Sequence, residues 1–184
     1  MANYEFVYHM DGVSKTYAGG KKVFENIRLN FLPGVKIGVV GVNGAGKSTL
    51  LKIIAGMDKV FTGEAWAAKG AKVGYLPQEP KLDETLNVRE NVMLGVAEKK
   101  AKLDRYNELA MNYSDETADE MAALQDEIDA GNLWDLDSQI DVAIEALRCT
   151  PNNTDMSTLS GGERRRVALC KLLLEAPDML LLDE

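Results

Sequence analysis

The sequence predicts an α/β fold, and three observations carry the prediction. Short apolar runs of strand length open and close the chain, an internal stretch switches to a helical period, and a glycine-rich loop stands where an early strand hands over to a helix. The composition agrees with a folded protein: 184 residues, 46% hydrophobic and 27% charged, as in ordinary globular domains. A chain of this length buries roughly 70% of the surface it exposes when unfolded, enough for one core and a satellite.

The elements follow in order. Residues 4–8 and 27–31 alternate apolar and polar side chains, the two-residue period of half-buried strands. Pro33-Gly34 punctuates a turn. Residues 36–40 (KIGVV) form a β-branched run suited to a sheet centre, buried on both faces. A glycine-rich loop and a helix over residues 49–56 come next, the helix ended by Gly56. Residues 72–76 read as another strand, stopped by Pro77.

From Leu86 the period changes. Val92, Val96, Leu103, Tyr106 and Ala110 share one helical stripe; Met121, Leu124 and Ile128 share a second; Leu136, Ile140, Ala143, Ile144 and Leu147 share a third. Breaks near residues 113–115 and at Gly131-Asn132 make this a helical hairpin followed by a further helix. Another helix runs over residues 164–175, and MLLLDE at residues 179–184 is a buried-strand pattern ending in two carboxylates. A central strand is a poor terminus, so the chain is expected to be the N-terminal part of a longer protein. The expected organisation is a core over residues 1–85, a helical subdomain over 86–165 with an inserted arm at about 95–133, and a return to the core over 166–184.

Charge and rare residues exclude several classes of function. The net charge of −8 is concentrated: residues 95–145 carry 14 acidic against 4 basic residues, and the remainder is close to balanced. Such asymmetry marks the internal segment as a separate piece. His9 is the sole histidine, and Cys149 and Cys170 are the two cysteines, which excludes a zinc centre or a histidine-based triad on supply alone. The cysteines read as small apolar fillers in a reducing compartment, and Trp66 and Trp134 as packing residues. No apolar run reaches the roughly 20 residues of a membrane span, and MANYEFVYHM lacks the pattern of a secretion signal. A cytoplasmic location is expected.

Three motifs carry chemistry. Gly41-Val42-Asn43-Gly44-Ala45-Gly46-Lys47-Ser48 has the spacing of a phosphate-binding loop. Glycine lets the backbone wrap closely enough for successive amides to face a phosphate chain, and the following helix adds its positive end. Lys47 is expected to reach the β- and γ-phosphates, and Ser48 to ligate Mg²⁺. Across from it, Asp183 is expected to hold Mg²⁺ and Glu184 to act as general base on the attacking water. LSGGE at residues 159–163 places a serine and two glycines at a helix start, a second anion cradle.

The order of these motifs resembles the ATP-binding cassette (ABC) family, and the resemblance covers the whole chain. It implies a P-loop fold with a parallel core sheet, an N-terminal antiparallel β region and a helical subdomain. By the same resemblance Gln78 contacts Mg²⁺ and the attacking water, and Tyr17 stacks on adenine. Gly41, Asn43, Gly44, Ala45, Gly46, Lys47, Ser48 and Thr49 bind this cassette's own ATP. Ser160, Gly161, Gly162 and Glu163 serve ATP held by a second cassette, closed head to tail on the first. The D-loop and switch histidine of the family lie beyond the catalytic glutamate and are absent here, and His9 is at the wrong end to replace that histidine. The chain by itself is expected to be a poor ATPase.

Two kinds of cassette remain open: a transporter subunit and a soluble factor. The 81 positions from Gln78 to Leu159 exceed what a transporter-type helical subdomain needs. LSGGERRRVALCKLLLEAPDMLLLDE, KIGVVGVNGAGKSTLLKIIAGMDK and VGYLPQEPKL are similar to the soluble ABC-F subfamily. That resemblance implies two cassettes in one polypeptide, binding at the ribosomal E site, an arm pointing to the L1 stalk, contact with rRNA and tRNA, and translation gated by nucleotide state. Lys99, Lys102 and Arg105 could form a basic edge on the otherwise acidic arm, or enter helix-stabilising pairs such as Glu98–Lys102 and Lys100–Asp104. Arg164, Arg165 and Arg166 either face RNA or position the helix they begin.

Overall fold

Alternation builds the first sheet. β1 (Tyr8–Thr16) turns Tyr8, Met10 and Val13 inward, and pairs antiparallel with β2 (Lys22–Phe31) on one side and β3 (Thr62–Ala67) on the other. The computed structural model describes residues 6–183. Of the strand expected over residues 4–8, residues 4 and 5 therefore lie outside the described residues. Phe6 and Val7 precede the strand proper, which begins at Tyr8 and continues past the expected end to Thr16.

Helix α1 (Lys47–Ile54) lays Leu50, Leu51, Ile53 and Ile54 against Tyr8, Met10, Val13 and Phe31, and the Tyr8 hydroxyl donates to the Ile53 carbonyl at 3.4 Å. Leu181 joins the same cluster from β5 (Met179–Leu182), which pairs in parallel with β4 (Val73–Leu76). The expected parallel sheet is thus present as two strands, beside a three-stranded antiparallel one. His9, Phe6 and Trp66 gather as a ring cluster on this antiparallel sheet, with centroids 5.1–5.4 Å apart.

One expected strand is not there. Residues 36–40 have no regular structure, and Val40 is 96% and Ile37 58% exposed. The expectation of a strand buried on both faces is corrected: an apolar run becomes a strand only where another strand meets its backbone groups, and among the described residues none pairs with it.

The second unit comprises residues 79–175, and the first comprises 6–78 with 176–183. Asn91, fully buried, holds the turn that enters the second unit: its side chain accepts from the Asp83 amide at 2.9 Å and donates to the Asp83, Leu86 and Asn87 carbonyls. α2 (Val88–Met93) then starts on a reciprocal cap between Asn87 and Glu90. Val88, Val92 and Val96 pack with Leu136, Ile140 and Ile144 of α5 (Leu136–Ala146), and with Val167 and Cys170 of α6 (Gly161–Glu175). Because α6 contributes its apolar face to this interior over its length, the return to the first unit comes at residue 176 rather than 166. The second unit opens at 79 rather than 86.

α3 (Ala97–Met111) and α4 (Ala118–Ala130) form the expected hairpin, sealed by Leu109, Ile128 and Leu133. Trp134 packs edge-on to Tyr106 with centroids 5.1 Å apart, and its indole donates to Asp129 at 2.6 Å.

A buried ion pair fastens β1 to the loop after α1. The Lys15 ammonium, 5% exposed, donates to the Val60 carbonyl at 2.6 Å and lies 2.7 Å from the Asp58 carboxylate. That lysine, followed by the Val60 amide, lowers the Asp58 pKa. A carboxyl lowered on folding stabilises the protein above its unfolded pKa and loses that contribution as the pH falls. Asp58→Ala should therefore cost about 2 kcal/mol or more in urea unfolding at neutral pH, because it strands a buried ammonium. The difference from the wild type should shrink as the pH falls below 3.8, towards the lowered value of the folded protein. An equal stability of the two proteins at neutral pH would show that Asp58 is not the partner that matters.

Candidate functional site

The phosphate-loop sequence turns out of residues 41–46 into the first turn of α1, and two glycines make that turn feasible. Gly44 has φ 81° and Gly46 φ 100°, conformations that L side chains rarely adopt. At Gly46 a Cβ would also collide with the Val23 side chain and stand 3.3 Å from the Phe24 ring. α1 has no side-chain cap at its start, so its first amides are left for another acceptor.

Around this turn lies a cleft of about 560 Å³ whose lining includes Tyr17, Asn43, Gly44, Ala45, Gly46, Lys47, Ser48, Thr49, Gln78 and Asp183, all named from the sequence, together with Lys21, Lys22 and Val23, which were not. Gly41 is not among the lining residues; its carbonyl accepts from the Lys47 ammonium at 2.8 Å, as the Val42 carbonyl does at 3.2 Å. The lysine is thus folded across its own loop. Tyr17 shares a 2.6 Å hydrogen bond with Thr49, which anchors the hydroxyl end of the ring to α1, while the Lys15 ammonium lies 5.4 Å from the ring centre.

The floor of the cleft is a carboxylate held by hydroxyls. Asp183, 7% exposed, accepts from Ser48 at 2.9 Å on one oxygen and from Tyr75 at 2.9 Å on the other, and its amide extends the β4–β5 ladder to the Leu76 carbonyl. The parallel register sets Tyr75 beside Leu181, so Asp183, two residues further on, falls on the same face. Burial, then the Asp183 carboxylate, push the Tyr75 phenol up to about 12, so it remains a donor at neutral pH. Glu184, the expected base, lies outside the described residues.

Ser48 and Asp183 are hard oxygen donors already in contact, which suits magnesium with its remaining positions filled by water and phosphate. Among the described residues no group of three or more His, Cys, Asp or Glu side chains could hold a metal on its own. The residues fit an ion shared with a ligand rather than a closed protein cage.

In the second unit, Ser160 and Glu163 cap α6 reciprocally. The Ser160 amide and hydroxyl donate to the Glu163 carboxylate at 2.8 and 2.6 Å, and the Glu163 amide returns a 3.4 Å bond to the serine oxygen. The serine's bonds, hydroxyl first, hold the Glu163 carboxyl below its usual range. Gly161 and Gly162 have open space where a Cβ would stand. Arg164 binds Glu84 and the Met156 carbonyl at 2.9 Å, so it positions the start of α6.

Comparison with known proteins agrees with this geometry. A family model described as ABC transporter matches residues 24–184. The chain belongs to the ABC transporter family. Within that family it is 54% identical over 98% of its length to the energy-dependent translational throttle protein EttA of Mycobacterium tuberculosis, of which it spans 33%. To EttA of Escherichia coli it is 48% identical over 98% of its length and 34% of that protein. The chain therefore spans about a third of the length of the curated relatives it matches. The structure of cbiO1 from Clostridium perfringens, part of the ABC transporter complex cbiONQ, covers 98% of this chain and 66% of its own at 22% identity, with a TM-score of 0.62. That likeness shows the fold alone.

Sequence reasoning missed Tyr75, Lys21, Lys22 and Val23. The last three line the cleft from the end of the β1–β2 turn and the start of β2, and Lys22 pairs with Glu25 at 2.6 Å. A lysine pair shortly after Tyr17 was the available signal for two of them; nothing in the sequence marked Tyr75 apart from a place on a strand. Tyr75→Phe should leave nucleotide affinity in EDTA unchanged and weaken the magnesium-dependent part by about 1 kcal/mol, roughly five-fold. Equal magnesium dependence in the two proteins, measured by fluorescent-nucleotide titration, would remove Tyr75 from the site.

Proposed function

We propose that this chain is the N-terminal ATP-binding cassette of a ribosome-associated translation factor of the ABC-F kind, whose nucleotide state gates translation. The observation that carries the nucleotide half is the Ser48–Asp183 contact at 2.9 Å on the floor of a cleft walled by the loop of residues 43–48. The translation half rests on the 48–54% identity, over 98% of this chain, to proteins named for throttling translation.

The residues divide the work as follows. Amides of residues 44–48 cradle the phosphates, and Lys47 leaves the Gly41 and Val42 carbonyls to donate to the β- and γ-phosphate oxygens. Ser48 and Asp183 would hold Mg²⁺, which when bound neutralises phosphate charge. Tyr17 offers its ring face to the base. Gln78 orients the attacking water, and Glu184 accepts its proton as general base. Ser160, Gly161 and Gly162, led by the Glu163 cap, serve the ATP of a second cassette in the same polypeptide, so hydrolysis belongs to the full-length protein and this chain alone is a poor ATPase.

The hairpin of α3 and α4 acts as the arm towards the ribosome, and its charges favour a basic protein over nucleic acid. Each of its basic side chains has a partner within the unit. Lys102 pairs with Glu127 at 2.6 Å and Arg105 with Glu120 at 2.7 Å. Lys100 stands 3.8 Å from Asp104, and Lys99 donates to the Leu174 carbonyl at 2.8 Å. The alternative of a basic edge formed by Lys99, Lys102 and Arg105 loses its free cations, and acidic side chains remain. Crosslinks from residues 114–130 should fall on basic ribosomal protein; crosslinks mainly to the rRNA phosphate backbone would refute that assignment.

The decisive experiment uses the full-length protein with purified ribosomes. Lys47→Ala removes a charged hydrogen-bond donor worth about 1.5–3 kcal/mol, so ATP affinity should fall roughly ten-fold or more. Glu184→Gln should keep ATP affinity, stop turnover and cosediment with ribosomes when ATP is present. Normal turnover by the glutamine variant would overturn the assignment of the base, and no cosedimentation in any nucleotide state would overturn the ribosomal reading.

A further inference from the structure

A buried cation lies against one of the rings that line the cleft. Lys15 is 5% exposed and is not among the lining residues. Its ammonium lies 2.9 and 2.7 Å from the two Asp58 carboxylate oxygens and donates to the Val60 carbonyl at 2.6 Å. The same ammonium stands over the Tyr17 ring, 5.4 Å from its centre, inside the roughly 6 Å reach of a cation–π contact. Tyr17 lines the cleft and is 46% exposed. The ring thus carries a buried cation and still offers open surface to a ligand.

Tyr17 is fixed at three points. Its hydroxyl shares the 2.6 Å bond with Thr49 in the first turn of α1. Its backbone closes a turn: the amide donates to the Lys21 carbonyl at 2.9 Å, and the carbonyl accepts from the Gly20 amide at 3.1 Å. Its ring meets Lys15, which Asp58 and Val60 hold from the loop after α1. A side chain ordered before binding spares a ligand the entropy of ordering it. The cation adds an electronic effect. An aromatic face is negative and repels the π-face of an electron-rich base. An ammonium on one side draws that density towards itself and leaves the other side less negative. In the sequence Lys15 and Tyr17 are merely near neighbours, and Asp58, which holds the ammonium, lies 43 positions beyond Lys15.

We propose that Lys15 is a positioning residue for nucleotide binding, which acts through Tyr17 by holding and polarising the ring on which a purine base stacks. This role rests on the reading of Tyr17 as the platform for the base. It divides the first unit's cations into two sets. Lys47, with the amides of the phosphate loop, serves the phosphates, whereas Lys15 never reaches the ligand and serves the base alone. Asp58 has its place in the same chain of contacts: it keeps the ammonium under the ring and balances its charge where water is scarce. Removing the Lys15 charge therefore weakens a ligand that carries a base and leaves a bare phosphate chain bound as before.

The test is calorimetric titration of the full-length protein with two magnesium-loaded probes, ADP and inorganic pyrophosphate, the second having no base. Lys15→Met should weaken ADP roughly three- to ten-fold, the size of a partly desolvated cation–π contact, and leave pyrophosphate affinity unchanged. Tyr17→Leu should weaken ADP at least as much, and Lys15→Met added to it should bring no further loss. Wild-type ADP affinity in Tyr17→Leu would sink the platform reading and the role of Lys15 with it. A loss in Tyr17→Leu but none in Lys15→Met would overturn the role of Lys15 alone. So would equal weakening of ADP and pyrophosphate by Lys15→Met, which marks a mere support of the loop, or a further loss when the two substitutions are combined. Should Lys15→Met fail to fold, Lys15→Met with Asp58→Asn, which strands no carboxylate, carries the same comparison. A proton spectrum of the wild type decides independently of these variants: the Lys15 ε-methylene signals should be shifted upfield by the ring and lose that shift in Tyr17→Leu, and unshifted wild-type signals would overturn the proposal.

Discussion

The first unit depends on a single buried carboxylate. Asp183 is 7% exposed, and a carboxylate that far out of water is costly unless donors replace its hydration. Ser48 supplies one hydroxyl from the first turn of α1 and Tyr75 another from β4. The same side chain thereby joins the phosphate loop to the parallel strands, and the loop's position follows from the need to satisfy it. Apolar packing does the coarse alignment, through Leu50, Ile53 and Leu181 in one cluster. The hydroxyl–carboxylate bonds set the last ångström, which is where a polyphosphate site is made or lost.

What holds the cleft open to a ligand is an absence of Cβ atoms and an excess of donors. Gly46 cannot carry a side chain beside Val23 and Phe24, and α1 begins without a side-chain cap, so its amides stay available. Lys47 meanwhile satisfies itself on the Gly41 and Val42 carbonyls. These are weak neutral acceptors, which an anionic oxygen outcompetes. The site is thus poised for an anion and tolerates being without one.

Much of this was legible in the sequence, and the parts that were share a cause. The loop of residues 41–48, the Asp183 strand end, the Ser160–Glu163 cap and the hairpin periods are local patterns, in which spacing along the chain already dictates geometry. What sequence reasoning got wrong or missed depends on tertiary partners. Residues 36–40 have strand composition but no neighbouring strand to bond. β3 was missed because TGEAWA is weakly apolar and is recruited by β1. Tyr75 became a site residue through the parallel register with β5. The arm's lysines and arginine were ambiguous until Glu120 and Glu127 on the opposite helix were seen to claim them.

The central claim is that the amides opening α1, and not merely the surface lysines near them, grip the phosphates. Backbone amide shifts recorded while magnesium ADP is titrated into the isotopically labelled full-length protein test it most directly. The account predicts that the largest changes fall on residues 44–49, with β1 and β3 nearly silent. Changes concentrated at Lys21 and Lys22, with residues 44–49 unmoved, would contradict it.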